Sequence, residues 1–97
     1  MGLRWGVLGG ARIADTTVIP AIHANSASKV TAIASRDIAR ARDIAQRHGI
    51  ARVELAYEDI LKSPDIDAVY IPLANSDHVR WTLAALRANK HVSVSYT

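Results

Sequence analysis

Apolar and polar residues follow one another in blocks that predict strands and helices in alternation. A short apolar run from Leu3 to Leu8 ends in two glycines, as a buried strand does when it enters a turn. A helical stretch follows to about Ala24. Pro20 predicts that this stretch is divided into two helical pieces, because proline disrupts the interior of a continuous helix. The run from Val30 to Ala34 predicts a second strand.

The same alternation continues through the rest of the chain. Asp37 is a good N-cap for a helix that Gly49 ends. Val79, Leu83 and Leu86 recur at helical spacing, and we expect them to form the core-facing stripe of a helix that runs to Ala88 and stops at a left-handed Asn89. The other predicted elements are a strand over Arg52–Leu55, a helix over Tyr57–Lys62, a strand over Asp67–Leu73 and a strand over His91–Ser95.

Strands that alternate with helices predict a parallel sheet covered by helices on both faces. Right-handed crossovers then give a doubly wound, Rossmann-like α/β fold with five strands in the order 3-2-1-4-5. The 97 residues suffice for one domain with one core, so we interpret residues 1–97 as a single domain.

Composition excludes several classes of protein and adds little else. There is no cysteine, which excludes disulfide frameworks and thiolate metal sites, and we predict no metal site of any kind. The net charge of +3 does not by itself indicate nucleic-acid binding. The sequence shows neither a signal segment nor an apolar run of membrane-spanning length, so we expect a cytoplasmic protein with no nucleic-acid or membrane partner.

The stretch GVLGGARIAD is the strongest candidate for a binding site. Gly9, Ala11 and Ala14 fit the glycine-rich turn that brings a helix start against a dinucleotide pyrophosphate, with alanine where the second glycine is usual. Residues at this turn are the predicted cofactor contacts: Gly9, Gly10, Ala11, Arg12 and Ile13. The alternative is a glycine turn that serves backbone geometry only.

The end of the predicted second strand favours NADP over NAD, although NAD remains possible. A carboxylate commonly binds the NAD ribose here, but the sequence has Ser35 followed by Arg36. Arginine matches the oxygens of a 2′-phosphate. Arg40 lies four residues further on, and helical spacing predicts that it brackets the same anion. The alternative is that both arginines are solvated surface charges.

The chain resembles the N-terminal domain of the glucose–fructose oxidoreductase and inositol dehydrogenase family, often called Gfo/Idh/MocA. The resemblance rests on LRWGVLGGARIAD, VIPAI, VTAIASRD, SPDIDAVYIPLAN, NSDH and ANKHV, which appear in the family's order. It implies a two-domain NAD(P)-dependent oxidoreductase acting on sugars or polyols. It also implies that Asn75 and His78 lie near the nicotinamide, and we add Leu73 to the expected cofactor contacts.

The C-terminal residues depart from the family pattern. Where the family has Glu-Lys-Pro, whose lysine acts in substrate binding and proton transfer, this chain has Ser95, Tyr96 and Thr97. The substrate domain has no counterpart in the sequence, so we predict no catalytic residues and an inactive isolated domain. The alternating HVSVSYT predicts an edge strand with one wet face, in a monomer with possible edge-strand dimerisation.

Three hypotheses follow from these observations. The chain is a cofactor-binding module, a stand-alone engineered α/β scaffold with a vestigial site, or an oxidoreductase that takes its missing parts from a partner chain.

Overall fold

A computed structural model describes residues 2–25, 27–73 and 75–94 as a twisted parallel sheet with helices on both faces. The five strands are hydrogen-bonded in the order β3-β2-β1-β4-β5, which confirms the predicted fold and strand order. Their bounds are β1 Leu3–Leu8, β2 Ser28–Ala34, β3 Arg52–Glu54, β4 Ala68–Ile71 and β5 His91–Val94.

The helices connect consecutive strands and fall into two pairs, one pair on each face of the sheet. Their bounds are α1 Ile19–Ala24, α2 Ile38–His48, α3 Tyr57–Lys62 and α4 Asn75–Arg87. Buried side chains of α1 and α2 pack on one face, and those of α3 and α4 pack on the other. Ile44 lies in the first layer and Ile60 in the second, and both are fully buried.

Three predicted helix boundaries are confirmed, and each has a local cause. The Asp37 side chain caps α2, its Oδ1 accepting a hydrogen bond from the Arg40 amide at 3.1 Å. Gly49 ends the same helix in the left-handed conformation, with φ of 69°. Asn89 follows α4 with φ of 61°, a conformation that asparagine adopts more readily than most residues.

The short turn expected near Pro20 is absent: the helical backbone is unbroken, and a π-helical turn precedes Pro20 instead. The backbone is helical from Arg12, widens into a π-helical turn over Ala14–Val18 and continues as α1. Pro20 lies in the first turn of α1, where a missing N–H is tolerated. The two pieces therefore form one continuous helical connection between β1 and β2.

The predicted core-facing stripe of α4 is wrong. Val79, Leu83 and Leu86 are all exposed, whereas Trp81 and Ala85 are buried against the sheet. Trp81 meets Tyr57 of α3 edge to face, with 5.1 Å between ring centroids. This arrangement buries two aromatic rings in a favourable geometry. The helix consequently presents its three large aliphatic side chains outward.

The fifth strand agrees only in part with the predicted alternation. Val92 packs against the core cluster that includes residues of α3 and α4. Ser93 is half-buried rather than fully exposed, because it lies beside the buried Tyr70 of β4 in the sheet. The predicted strand residue Ser95 lies outside the described part of the chain.

Candidate functional site

The turn after β1 draws the carboxyl ends of three strands together. Gly9 has φ of 126°, which L side chains rarely adopt, and a Cβ there would lie only 3.0 Å from Leu73 Cδ2. The Gly9 amide donates to the Ala34 carbonyl at 2.7 Å. Ala34 ends β2, and Leu73 follows β4. The backbone conformation therefore favours glycine strongly here, and the contact with Leu73 leaves little room for a side chain.

Two of the predicted cofactor contacts, Ser35 and Arg40, lie against Gly10. The Arg40 Nε donates a hydrogen bond to the Gly10 carbonyl. A Cβ at Gly10 would lie 3.3 Å from both Arg40 Cγ and Ser35 Oγ. The structure thus places the α2 arginine and the serine that follows β2 directly against the glycine turn.

Ser35 and Arg36 have different surroundings, although they are neighbours in the chain. Ser35 is buried, and its Oγ accepts a hydrogen bond from the Asp37 amide at 3.1 Å. Arg36 is exposed and borders a cleft of about 250 Å³. The other side chains around this cleft come from the start of α3 and from α4, among them Tyr57, Arg80 and Trp81.

The helical-face argument that pairs Arg36 with Arg40 is wrong. The helix α2 begins at Ile38 and is capped by Asp37, so Arg36 precedes it. Arg40 is directed to the Gly10 carbonyl, whereas Arg36 borders the cleft between α3 and α4. Arg40 therefore has a structural contact of its own at the glycine turn, and the two guanidinium groups face different surroundings.

The remaining residues of the turn form the start of the first helical segment. Ala11 and Ile13 are half-buried, and the Arg12 side chain is exposed. The Asp15 amide donates to the Ala11 carbonyl at 3.2 Å, and Thr16 Oγ1 donates to the Arg12 carbonyl at 2.9 Å. The free amides at such a helix start carry partial positive charge, which suits an anion.

The residues expected near a nicotinamide are divided between a loop and a helix. Leu73 is half-buried in the loop that follows β4, against the Gly9 turn. Asn75 is the first residue of α4, but its side chain lies outside the described part of the structure. The His78 side chain is buried in the first turn of α4. Leu73 therefore joins the glycine turn, and His78 belongs to the helix that follows it.

The comparison with known proteins agrees with this geometry. Residues 3–96 match the Gfo/Idh/MocA model, described as an oxidoreductase family with an NAD-binding Rossmann fold. The chain belongs to this family. Over 90 residues it is 49% identical to an uncharacterised oxidoreductase of Rhizobium meliloti, and 44% identical to D-xylose 1-dehydrogenase (NADP⁺) 2 of Haloferax volcanii. Each alignment covers 93% of this chain but only 27% of the relative.

Solved structures of two other proteins show the same fold as this family domain. A 3-ketoreductase from Actinomadura kijaniata, crystallised with NADP and TDP-benzene, superimposes with a TM-score of 0.89 at 44% identity. The match covers 97% of this chain and 29% of that one. A probable dehydrogenase from Thermotoga maritima gives a TM-score of 0.87 at 25% identity, over 95% of this chain and 27% of the other.

The described residues offer neither a metal site nor a membrane span. Within residues 2–25, 27–73 and 75–94, no three His, Asp or Glu side chains are grouped so that they could hold a metal ion. None of the helices in those ranges is both long enough and apolar enough to cross a membrane.

One charged cluster beside the glycine turn has no counterpart among the sequence predictions. The buried Asp15 carboxylate accepts hydrogen bonds from both terminal nitrogens of Arg47, each at 2.7 Å. His48 Nε2 lies 2.8 Å from the same carboxylate. The hydrogen bonds from Arg47 and then His48 lower the pKa of Asp15 to about 2. The cluster joins the first helical segment of this family domain to the end of α2 and compensates the negative charge of Asp15.

We expect Asp15→Asn to lower the free energy of unfolding by about 2 kcal/mol at pH 7, because charge-assisted hydrogen bonds to a buried group are lost. Since the pKa of Asp15 is depressed in the folded state, this contribution is present above about pH 4 and is lost as the pH falls towards 2. Urea denaturation of both proteins across this range measures the difference.

Asp43→Asn is the matched control. Asp43 also binds Arg47, at 2.9 Å, but its side chain is 60% exposed, so its removal should change stability by less than about 0.5 kcal/mol. Equal effects of the two substitutions would contradict the importance assigned to the buried carboxylate.

Proposed function

We propose that the chain is a dinucleotide-binding domain that prefers NADP to NAD and does not catalyse a reaction alone. The observation that carries the preference is the end of β2. A buried serine and an exposed arginine, Ser35 and Arg36, follow it where a ribose-binding carboxylate is common. Asp37, the next residue, is engaged as the cap of α2. The 2′-phosphate of NADP would therefore meet a cation and no opposing carboxylate.

The residues of the glycine turn suit the pyrophosphate. The turn at Gly9 and Gly10 has no side chain that would fill the space before the helix start, and Arg12 adds an exposed positive charge. The amides of Ala11, Arg12 and Ile13 are the proposed donors to the phosphate oxygens. Arg40 holds the Gly10 carbonyl and so fixes the shape of the turn.

The proposed nicotinamide end consists of Leu73, Asn75 and His78. Leu73 packs against the Gly9 turn and supplies an apolar surface between the two ends of the cofactor. A bound nicotinamide cofactor supplies hydride transfer, and the residues of this chain hold and orient it. The 3-ketoreductase from Actinomadura kijaniata was crystallised with NADP, which supports cofactor binding by this domain, and this chain spans only 29% of that protein.

The proposed lack of independent activity rests on two points, the family's lysine motif and the binding of substrate. The positions of the family's lysine motif are Ser95, Tyr96 and Thr97 in this chain, outside the described residues. An ordinary tyrosine titrates near 10 and is a poor proton donor at neutral pH without a positioned partner. No residue in the described ranges is proposed to bind a sugar, so the substrate would not be oriented against the cofactor.

The second candidate is a scaffold with a vestigial site, and Ala11 is the observation that favours it. A methyl group stands where the usual glycine lets the backbone approach the pyrophosphate. Ala11 is half-buried, however, so part of it is turned towards the protein. This burial supports retention of the site over its loss.

The proposal also covers the compartment, the oligomeric state and the partners of the domain. We propose a cytoplasmic protein that is monomeric in dilute solution and has neither nucleic acid nor membrane as a partner. The edge of β5 gives it a tendency to pair at high concentration.

Calorimetric titration tests cofactor binding. We expect the purified chain to bind NADP⁺ with a Kd of about 0.1–1 mM, or about 4–5.5 kcal/mol, because the phosphate-binding end is present and the nicotinamide end is incomplete. NAD⁺ should bind more weakly. Absence of both heat and amide shifts at millimolar NADP⁺ would favour the vestigial scaffold.

Arg36→Ala tests the basis of the preference. The substitution should weaken NADP⁺ binding about tenfold or more, since a hydrogen bond to a charged group contributes about 1.5–3 kcal/mol, and should leave NAD⁺ binding unchanged. Arg42→Ala is the matched control, because Arg42 is an exposed arginine of α2 outside the proposed site. Equal loss for the two cofactors would show that Arg36 does not recognise the 2′-phosphate.

Turnover tests the proposed inactivity. We expect no substrate-dependent formation of NADPH when the isolated chain is incubated with NADP⁺ and a panel of sugars and polyols, because no residue in the described ranges is proposed to hold the substrate against the nicotinamide. The absorbance of NADPH in the near ultraviolet measures the reaction. Reproducible activity in samples free of contaminating dehydrogenases would overturn this part of the proposal.

A further inference from the structure

The cleft between α3 and α4 contains a second arginine besides Arg36. This residue is Arg80, on the side of α4 that faces α3. The other side chains around the cleft are those of residues 55–58 and of Trp81. Pockets for whole small molecules measure about 300–1,000 Å³, whereas this cleft measures about 250 Å³. Its size therefore suits one group of a larger ligand.

Two packed aromatic rings hold Arg80 at this cleft. The Arg80 Cζ lies 4.9 Å from the centre of the Trp81 ring, and Trp81 is buried. Trp81 in turn meets Tyr57 edge to face. A guanidinium within about 6 Å of an aromatic ring is attracted to the face of that ring. Because this contact uses the flat side of the guanidinium, the N–H donors at its edge remain available to a ligand.

Arg36 approaches the same pair of rings from the end of β2. Burial raises the pKa of Tyr57, and the positive charge of Arg36 partly offsets this rise. Within the described ranges, neither Arg36 nor Arg80 forms an ion pair with a carboxylate, whereas Arg47 is bound to Asp15. Two guanidinium groups without a carboxylate partner therefore border one small space.

Two carboxylates near this cleft oppose the binding of an anion. Glu58 borders the cleft from the first turn of α3, and the charge of Asp77 reaches Tyr57 from the first turn of α4. With Arg36 as the only cation, the cleft would have a net negative charge. Arg80 balances the four charges, and the two guanidinium groups supply hydrogen-bond donors that ionised carboxylates lack. A doubly charged phosphate thus needs both arginines.

We propose that Arg80 is a second specificity-determining residue for NADP, which binds the 2′-phosphate from α4 while Arg36 binds it from the end of β2. A phosphate monoester carries a charge of about −1.5 to −2 at pH 7 and has three acceptor oxygens. Two guanidinium groups match this charge, and each can donate to two oxygens. This inference rests on the NADP preference proposed above and adds to it a residue from another element.

The expected effect of Arg80 is confined to NADP. NAD has a ribose hydroxyl in place of the 2′-phosphate, and a neutral hydroxyl gains much less from a nearby cation. A purely structural role of Arg80 would instead change the binding of both cofactors or the stability of the domain. The ratio of the two affinities therefore separates recognition of the phosphate from support of the fold.

Calorimetric titration of the 97-residue chain with NADP⁺ and NAD⁺ tests the proposal through substitutions of Arg80. Arg80→Ala should raise the Kd for NADP⁺ about 3- to 10-fold and leave the Kd for NAD⁺ unchanged. Arg80→Lys keeps the charge but loses the planar fork, so its Kd for NADP⁺ should lie between those of Arg80→Ala and the unchanged chain. Circular dichroism checks that each variant is folded.

Arg87→Ala is the matched control. Arg87 is also an exposed arginine of α4, seven residues after Arg80. This spacing places it on the same side of the helix but about 10 Å further along the axis, away from the carboxyl ends of the strands. Arg87→Ala should therefore leave the affinities for both cofactors unchanged.

A second pair of ligands tests the same contact without the nicotinamide end. Adenosine 2′,5′-bisphosphate and adenosine 5′-monophosphate differ only in the 2′-phosphate. Amide chemical shifts in titrations should show that Arg80→Ala weakens binding of the bisphosphate and leaves binding of the monophosphate unchanged.

The outcomes distinguish this inference from the proposed cofactor preference. If Arg36→Ala weakens NADP⁺ selectively but Arg80→Ala has no more effect than Arg87→Ala, the role of Arg80 is overturned and the preference stands. Equal loss of NADP⁺ and NAD⁺ affinity in Arg80→Ala would also overturn that role. An unchanged chain that binds NADP⁺ no better than NAD⁺ would contradict both proposals.

Discussion

The reversal of the chain at Gly9 is the constraint on which the rest of the candidate site depends. Its positive φ strongly disfavours any other residue, Leu73 leaves little room for a side chain, and its amide donates a hydrogen bond to the last carbonyl of β2. One residue thus sets the distances among the ends of β1, β2 and β4. In doubly wound sheets this is the edge where ligands bind, since loops from neighbouring strands diverge there.

Compensation of the Asp15 charge stabilises the helical segment next to this edge. Asp15 lies in the first helical segment, shortly after the turn, and its carboxylate is buried. Arg47 and His48, at the end of α2, hold that carboxylate in an ionised and hydrogen-bonded state. The last turn of one helix therefore stabilises the first turn of another.

Local patterns predict much of the fold because their causes are local. Asp37, Gly49 and Asn89 begin or end helices through backbone geometry that depends on few neighbours. The strand order follows from alternation and from the handedness of crossovers, and the family comparison agrees with it.

Features that depend on tertiary partners cannot be predicted from such local patterns. Two sets of residues in α4 share the helical period, and tertiary contacts, among them the ring of Tyr57, accompany the burial of Trp81. The ion pair of Asp15 could not be predicted for the same reason, because its partner Arg47 is 32 residues away in the sequence.

The central place of β1 has a consequence for synthesis on the ribosome. This strand is made first, and its β2 edge can pair once residue 34 has emerged. Its other edge pairs with Ala68–Tyr70 of β4, which are made only after α2, β3 and α3. Until then, that edge of β1 has no native partner and stays open to non-native pairing. The order of the strands in the sheet thus fixes the order in which a nascent chain can close the two edges of its central strand.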